Sequence, residues 1–159
     1  MNTTIRPARL SDARALTSLL RQLGWFEVFK TEDEAASQAR LQRHLQLCLA
    51  DESHTILIAE DEHGQVLAYA AIHWLPYLIL SGPEGYVSEL FVDAAARGQG
   101  IGSRLLAALE DEARRRGCSR LSLLNNRQRE SYQRGFYTQQ GWEQRPGMIN
   151  FIKKPGYQN

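Results

Sequence analysis

Six consecutive residues, R-G-Q-G-I-G from Arg97 to Gly102, have the composition of a phosphate or pyrophosphate site. They follow the strand-like run Tyr86 to Val92 and lead directly into a helix-like pattern. Free amides at a helix start converge on one point, and the helix dipole favours negative charge there. Alternating glycines let the backbone touch a ligand, and Arg97 adds a charge-assisted contact to an oxyanion. The stretch therefore predicts an anion site.

Two nucleotide-binding loops fit this stretch less well. A Walker loop has lysine and then Ser or Thr after its last glycine, whereas Ser103 and Arg104 stand here. A dinucleotide fingerprint has an acidic residue about 20 positions further on, where this chain reads L-S-L-L-N-N. A tight turn in which the glycines serve backbone geometry alone is the remaining alternative.

A carboxylate lies on the strand before the loop. If Tyr86 to Val92 alternates regularly, Val87, Glu89 and Phe91 share one face. Placing a carboxylate between two large apolar groups costs folding free energy unless the carboxylate has a polar partner, so a carboxylate at such a position suggests a function. Glu89 is therefore a candidate functional residue, and the alternative is a bulge or a solvated sheet face that leaves it exposed.

The elements that must position these residues follow from hydrophobic periodicity and capping signals. The predicted order is β, α, α, β, β, β, α, β, α, β, which is a mixed sheet with helices on it, an α/β or α+β fold. Three local expectations are a capping box at Thr31 and Glu34, a helix from Glu130 to Gln140, and a last strand from Met148 to Lys153.

Length and composition are those of an ordinary globular protein. The 159 residues predict one domain, residues 1–159, with 43% apolar and 23% charged residues. The apolar stretch Ala68 to Leu80 is too short for a bilayer span of about 20 residues, and the N-terminus lacks the apolar run of a signal peptide. Two cysteines, Cys48 and Cys118, suggest no disulfide framework, so we expect a cytoplasmic protein.

Charge and histidine spacing indicate which partners are not expected. A net charge of +1 gives no attraction to nucleic acid or to a membrane. Glu110, Asp111 and Glu112 precede a run of three arginines by four residues each, so helical ion pairs on a solvated face explain that cluster. The four histidines lack metal-ligand spacing, and no metal is expected.

Two motifs together resemble those of one family. Arg97 to Gly102 matches the Q/R-x-x-G-x-G/A loop of the GNAT superfamily of acyl-CoA-dependent N-acetyltransferases, and F-Y-T-Q-Q-G-W, Phe136 to Trp142, is similar to its late F-Y-x-x-x-G-F/Y signature. The resemblance implies a mixed, mostly antiparallel sheet with splayed central strands and helices on both faces. The chain departs from the family at three positions. Family members often have proline where Ala94 stands, and many have asparagine and alanine where Glu130 and Gln133 stand.

The resemblance implies acetyl-CoA as cosubstrate. Its pyrophosphate would lie on the amides of Gly98 to Gly102 and its pantetheine arm along Leu90 to Val92, between two strands that splay apart. Whether Asn125 or Asn126 also contacts the cosubstrate stays open. The implied binding residues are Leu90, Phe91, Val92, Arg97, Gly98, Gln99, Gly100, Ile101, Gly102, Ser103 and Asn126.

The implied reaction, acetylation of a primary amine, has two proton requirements. The amine must lose a proton, and the departing thiolate must gain one or be stabilised. In the resemblance Glu89 takes the place of the base and Tyr137 that of the acid beside the sulfur. The alternative for Tyr137 is a core aromatic, because Tyr132 and Phe136 form an apolar i,i+4 pair next to it.

The sequence does not identify the acceptor, and either a small-molecule amine or a peptide amine fits. Trp25, Phe26 and Glu27 follow the first helix, in the region that helps to cover the acceptor in this family, and Tyr77 and Tyr86 flank a nearby loop. Core or dimer packing explains each aromatic equally well, so a homodimer is left open. Two other functions are a non-catalytic module that binds acetyl-CoA and a nucleotide-binding protein.

Overall fold

The computed structural model describes residues 2–156 and divides into two compact units. The first unit ends at Leu124 and the second begins at Asn125. A single domain over residues 1–159 stays a prediction. Within the described residues, no helix combines the length and the apolar character that crossing a membrane requires.

The first unit is built on a five-stranded sheet with the order β1-β2-β3-β4-β5. Neighbouring strands pair antiparallel except β4 and β5, which are parallel. Strands β2 and β3 form an antiparallel hairpin around the turn D-E-H-G. The strands are β1 Thr3–Pro7, β2 His54–Asp61, β3 Val66–Leu75, β4 Glu84–Val92 and β5 Arg120–Leu123.

The helices of the first unit cover both faces of the sheet, which confirms the predicted fold class. On one face, α1 and α3 pack over the hairpin residues Ile56, Ile58, Tyr69 and Ala71. Because strand side chains alternate, the other face carries Ala70 and Ile72 and receives α4. These helices are α1 Ala13–Leu23, α2 Val28–Thr31, α3 Glu34–Cys48 and α4 Ile101–Arg115.

Helix α4 shows how periodicity determines the packing. Its apolar residues recur at helical spacing, so one stripe is fully buried while the opposite side stays in water. Ion pairs line the wet side, as predicted, although they also use three-residue spacing: Glu112 binds Arg115 at 2.5 Å and Arg116 at 2.7 Å. The buried stripe consists of Ile101, Leu105, Leu106, Leu109 and Ala113.

The expected capping box is wrong in detail. Thr31 ends the short helix α2, which was not predicted, and Asp33 is the N-cap of α3, its carboxylate accepting the Ala36 amide at 2.7 Å. An aspartate side chain at this position satisfies an amide that the helix cannot. The start of α3 therefore moves two residues along the chain.

Two predictions for the second unit are also wrong. Gly135 has φ 66° and interrupts the expected helix Glu130 to Gln140, leaving α5 Glu130–Gln133 and α6 Phe136–Gln139. A left-handed residue cannot continue an α-helix, and glycine adopts that conformation at little cost. Residues 148–153 form no strand, and Phe151 is 88% exposed.

Candidate active site

A bulge in β4 determines where Glu89 points. Ala71 pairs with Glu89 and Ile72 pairs with Val87, so Ser88 is an extra residue on β4. The extra residue shifts the alternation by one, and Val87 is buried on the face that receives α4 while Glu89 and Phe91 lie on the other. The prediction that all three share a face is therefore wrong for Val87, and Glu89 is exposed.

Glu89 lines a cavity of about 400 Å³ on the face covered by α1, α2 and α3. The floor comes from β2, β3 and β4, and Ser88 lies beside Glu89 in the lining because both belong to the bulge. The helices supply apolar walls. A concave, mostly apolar space with a few convergent polar groups is the usual form of a small-molecule site.

The buried hydroxyl of Tyr69 is a partner of Glu89. Tyr69 is 4% exposed and lies on the same face of the neighbouring strand. Burial raises the pKa of Tyr69 well above its ordinary value, and the charge of Glu89 and the hydrogen bond to it raise it further. Tyr69 therefore stays protonated and can donate a hydrogen bond to the carboxylate. Sequence reasoning missed this residue.

Two histidines meet at the same end of the cavity. The rings of His54 and His73 are 4.3 Å apart, and Nε2 of His73 lies 2.9 Å from Oγ of Ser88. Burial, and then the charge of His54, lower the pKa of His73. They are partners in the β2–β3 register, but that register shifts after Ala59, so regular counting outward from the turn would pair His54 with Ile72. No local signal in the sequence therefore predicts this pair.

The glycine loop leaves open space at the start of α4. Gly98 has φ 77° and Gly100, the N-cap, has φ 73°, and a Cβ built on either would meet nothing within 4 Å. The first amides of a helix lack intrahelical partners, so those of Ile101 to Ser103 face this end of the helix. The loop therefore has exposed glycines with open space beside them at a helix start, and an anion site there stays a prediction.

Arg97 lies beside this loop with an exposed side chain. Its Nε donates to the carbonyl oxygen of Val92 at 3.3 Å, and its guanidinium lies 5.5 Å from the centre of the Trp25 ring. Trp25 in turn meets Phe91 edge-on at 5.9 Å. Of the aromatic residues after the first helix, Phe26 lines the cavity, whereas Trp25 lies by Arg97.

Strands β4 and β5 separate after a short pairing. Their parallel register covers Glu84 to Val87, while β4 itself continues to Val92. The buried carboxylate of Glu84 binds Arg120 and Ser122 of β5 and holds the paired ends together. Beyond that point β5 offers no partner to the backbone of Leu90 to Val92.

The second unit holds Tyr137 in an aromatic cluster. Its ring lies 5.0 Å from that of Phe136 and 6.2 Å from that of Trp142. Burial raises the pKa of Tyr137, so the phenol keeps its proton at neutral pH. Asn125 and Asn126 accept local hydrogen bonds, from the Ser131 hydroxyl at 3.1 Å and the Gln128 amide at 2.9 Å.

Other expected residues are scattered. Nε2 of Gln99 donates to the Ala95 carbonyl oxygen at 3.5 Å, the Tyr86 ring is 6.1 Å from that of His73, and Tyr77 is 46% exposed. Within residues 2–156, no group of three or more His, Cys, Asp or Glu side chains is arranged to hold a metal ion.

Comparison with known proteins adds the family. The model of the acetyltransferase (GNAT) family matches residues 19–142. Glucosamine 6-phosphate N-acetyltransferase 1 of Oryza sativa is 36% identical over 72% of this chain and 67% of its own length. The uncharacterized N-acetyltransferase YhfO of Bacillus subtilis is 31% identical over 92% of this chain and 94% of its own.

A solved structure shares the fold. The crystal structure of glucosamine-6-phosphate N-acetyltransferase from Arabidopsis thaliana is similar with a TM-score of 0.78 and 22% identity. The match covers 98% of this chain and 99% of that one.

Proposed function

Because the chain belongs to the acetyltransferase (GNAT) family, we propose that it transfers an acetyl group from acetyl-CoA to a primary amine. The observation that carries this proposal is the open glycine loop at the start of α4, next to a strand whose backbone is left unpaired by β5. The loop suits a pyrophosphate, and the strand suits an amide-bearing arm.

The residues of the loop fit acetyl-CoA sterically and electrostatically. The space beside Gly98 and Gly100 is what a Cβ would fill, so a phosphate can approach the backbone there. Amides from Gly98 to Gly102 and the Arg97 guanidinium would hold the pyrophosphate. The backbone of Leu90 to Val92 would hold the pantetheine arm. Acetyl-CoA, when bound, supplies the acetyl group as a thioester.

Two side chains of this chain would move the protons. Glu89 accepts a proton from the acceptor ammonium, directly or through water, and Tyr69 holds the Glu89 carboxylate in place. The Tyr137 hydroxyl donates a proton to the departing sulfur, a role that its raised pKa favours because the phenol remains protonated until then.

The direct test is incubation of the purified protein with acetyl-CoA and a panel of amines. The panel comprises polyamines, amino acids, aminoglycosides, peptides with free N-termini and glucosamine 6-phosphate, which the Oryza relative is named for. We expect free thiol to appear with at least one amine and the product to gain one acetyl group by mass. Binding of acetyl-CoA without thiol release would favour a non-catalytic module.

Replacing Tyr137 with phenylalanine should lower kcat by about tenfold or more, since general acid catalysis is typically worth 10² to 10⁴ in rate. Calorimetry should show little change in acetyl-CoA affinity. Tyr132→Phe is the matched control, because Tyr132 is 38% exposed and its hydroxyl donates to Gln144 within the same unit. Equal kcat values for the two variants would show that Tyr137 is not the general acid.

Replacing Phe26 with alanine should raise the apparent KM for the acceptor about tenfold and leave acetyl-CoA affinity unchanged. The half-buried Phe26 ring lines the cavity, and its removal takes away apolar surface that a ligand would cover. Steady-state kinetics with each substrate varied in turn measures this. A large fall in melting temperature with unchanged KM would assign Phe26 to the core instead.

A further inference from the structure

The cavity that holds Glu89 has walls that are apolar and rich in aromatic rings. The ring of Phe91 meets that of Phe26 at 5.4 Å and that of Tyr69 at 5.7 Å, and Phe26 meets Phe29 at 6.3 Å. Phe26 and Phe91 are only partly buried, so they retain surface that a ligand can cover. Leucines from α1 and α3, namely Leu16, Leu20, Leu41 and Leu45, complete the walls.

The permanent positive charge in the lining, that of Arg40, is paired with a carboxylate. Arg40 of α3 is bound by Glu32, with its Nε 3.0 Å and its Nη2 2.9 Å from Oε2, and its guanidinium lies over the Phe29 ring at 4.8 Å. Within the described residues its buried Nη2 has no hydrogen-bond partner, although it lies close to the Glu32 carboxylate. A phosphate or carboxylate entering the cavity would therefore compete with Glu32 for this guanidinium.

Within residues 2–156, the one carboxylate in this lining, that of Glu89, lies at the sheet end of the cavity. The Glu89 carboxylate faces the cavity from β4, and the Tyr69 hydroxyl that binds it is neutral. Around them stand His54 of β2, His73 of β3, and His44 and Cys48 of α3. Burial lowers the pKa of His73 and raises that of Cys48, so both are neutral near neutral pH.

From this distribution we propose that the acceptor is a small primary amine carried on an apolar, uncharged body, with its ammonium at Glu89 and its body against Phe26, Phe91 and the α3 leucines. This rests on the proposed function and narrows its substrate class. It also separates this chain from relatives named for a phosphorylated amino sugar.

An alkylamine series from propylamine to hexylamine tests the proposal on the wild-type protein. Each added methylene should raise kcat/KM by roughly two- to fourfold until the cavity is filled, the size expected for burying one CH₂. At about pH 8, where histidine is ordinarily neutral, butylamine should exceed 3-aminopropylphosphonate by at least about tenfold, since the latter places an anion near Glu89. A flat series, or preference for the phosphonate, overturns the proposal.

A pair of variants on one helix locates the effect. Leu41→Asn puts a polar group into the cavity wall, while Leu47→Asn changes a side chain of the same helix that is 70% exposed and outside the lining. The increase in kcat/KM per added methylene should fall towards onefold in Leu41→Asn and should stay at the wild-type value in Leu47→Asn. Leu41→Thr, which also puts a polar group into the wall, serves if Leu41→Asn does not fold. An unchanged gain in a folded Leu41 variant overturns the proposal.

Failure of this inference is distinguishable from failure of the proposed function. If the protein acetylates only anionic amines efficiently, the proposed acetyltransferase activity is supported and the proposed apolar acceptor is wrong. Absence of thiol release with every amine overturns both.

Discussion

Replacing Gly100 with valine is expected to weaken acetyl-CoA binding by about 100-fold, the loss that corresponds to one or two charge-assisted hydrogen bonds. Gly100 is the N-cap of α4, and the space that a Cβ would enter is open. Valine would fill the space in which the pyrophosphate is proposed to meet the backbone. Calorimetric titration with acetyl-CoA measures the loss.

The control for backbone strain lies at the other end of the same helix. Gly117 has φ 67°, close to the 73° of Gly100, and a Cβ there would also meet nothing within 4 Å. Gly117→Val therefore imposes a similar left-handed strain, about 1 to 2 kcal/mol, away from the loop. Both variants should lose similar stability, but only Gly100→Val should lose acetyl-CoA affinity. Unchanged affinity in folded Gly100→Val would disprove the site.

Replacing Glu89 with glutamine is expected to lower kcat at neutral pH by 10² to 10⁴, the typical range for a general base. Glutamine keeps the size of the side chain and a hydrogen-bond acceptor for Tyr69 but cannot take the proton. Acetyl-CoA affinity should change little, because the carboxylate lies in the cavity and not at the glycine loop.

The pH dependence separates a base from a binding residue. An alkylamine has a pKa near that of lysine, about 10.4, so raising the pH by one unit increases its neutral fraction about tenfold. The rate of Glu89→Gln should therefore rise steeply between neutral pH and about pH 9, and the gap to wild type should narrow. Glu62→Gln, in the exposed hairpin turn, is the control. A constant ratio of Glu89→Gln to wild type across this range would argue against proton transfer.

Much of what positions the site was predictable because it depends on near neighbours in the chain. The glycine loop, the α4 stripe and the β2–β3 hairpin rest on backbone conformation and periodicity within a few residues. The conformational freedom of glycine accounts for Gly98 and Gly100, with φ values of 77° and 73°. The two family motifs, Arg97 to Gly102 and Phe136 to Trp142, are likewise local strings.

The prediction failed where one residue changes a periodic pattern. Ser88 adds one position to β4, and since side chains alternate with a period of two, everything beyond it changes face. Val87 and Glu89 therefore lie on opposite faces of the sheet. In the same way Gly135, in the left-handed region, ends a helix that the apolar pattern continues through.

The sequence by itself determined the family and the sheet with helices, and it singled out the glycine loop at Arg97 to Gly102 and Glu89 as candidates. Only the tertiary structure decided what surrounds that carboxylate. Tyr69, His54 and His73 come from positions 16 to 35 residues away and reach Glu89 through the register of three strands. Register depends on the summed pairing of whole strands and on the packing of one face, which no short stretch of sequence contains. The paired charge of Arg40 and the apolar cavity walls likewise exist only once α1 and α3 lie on the sheet.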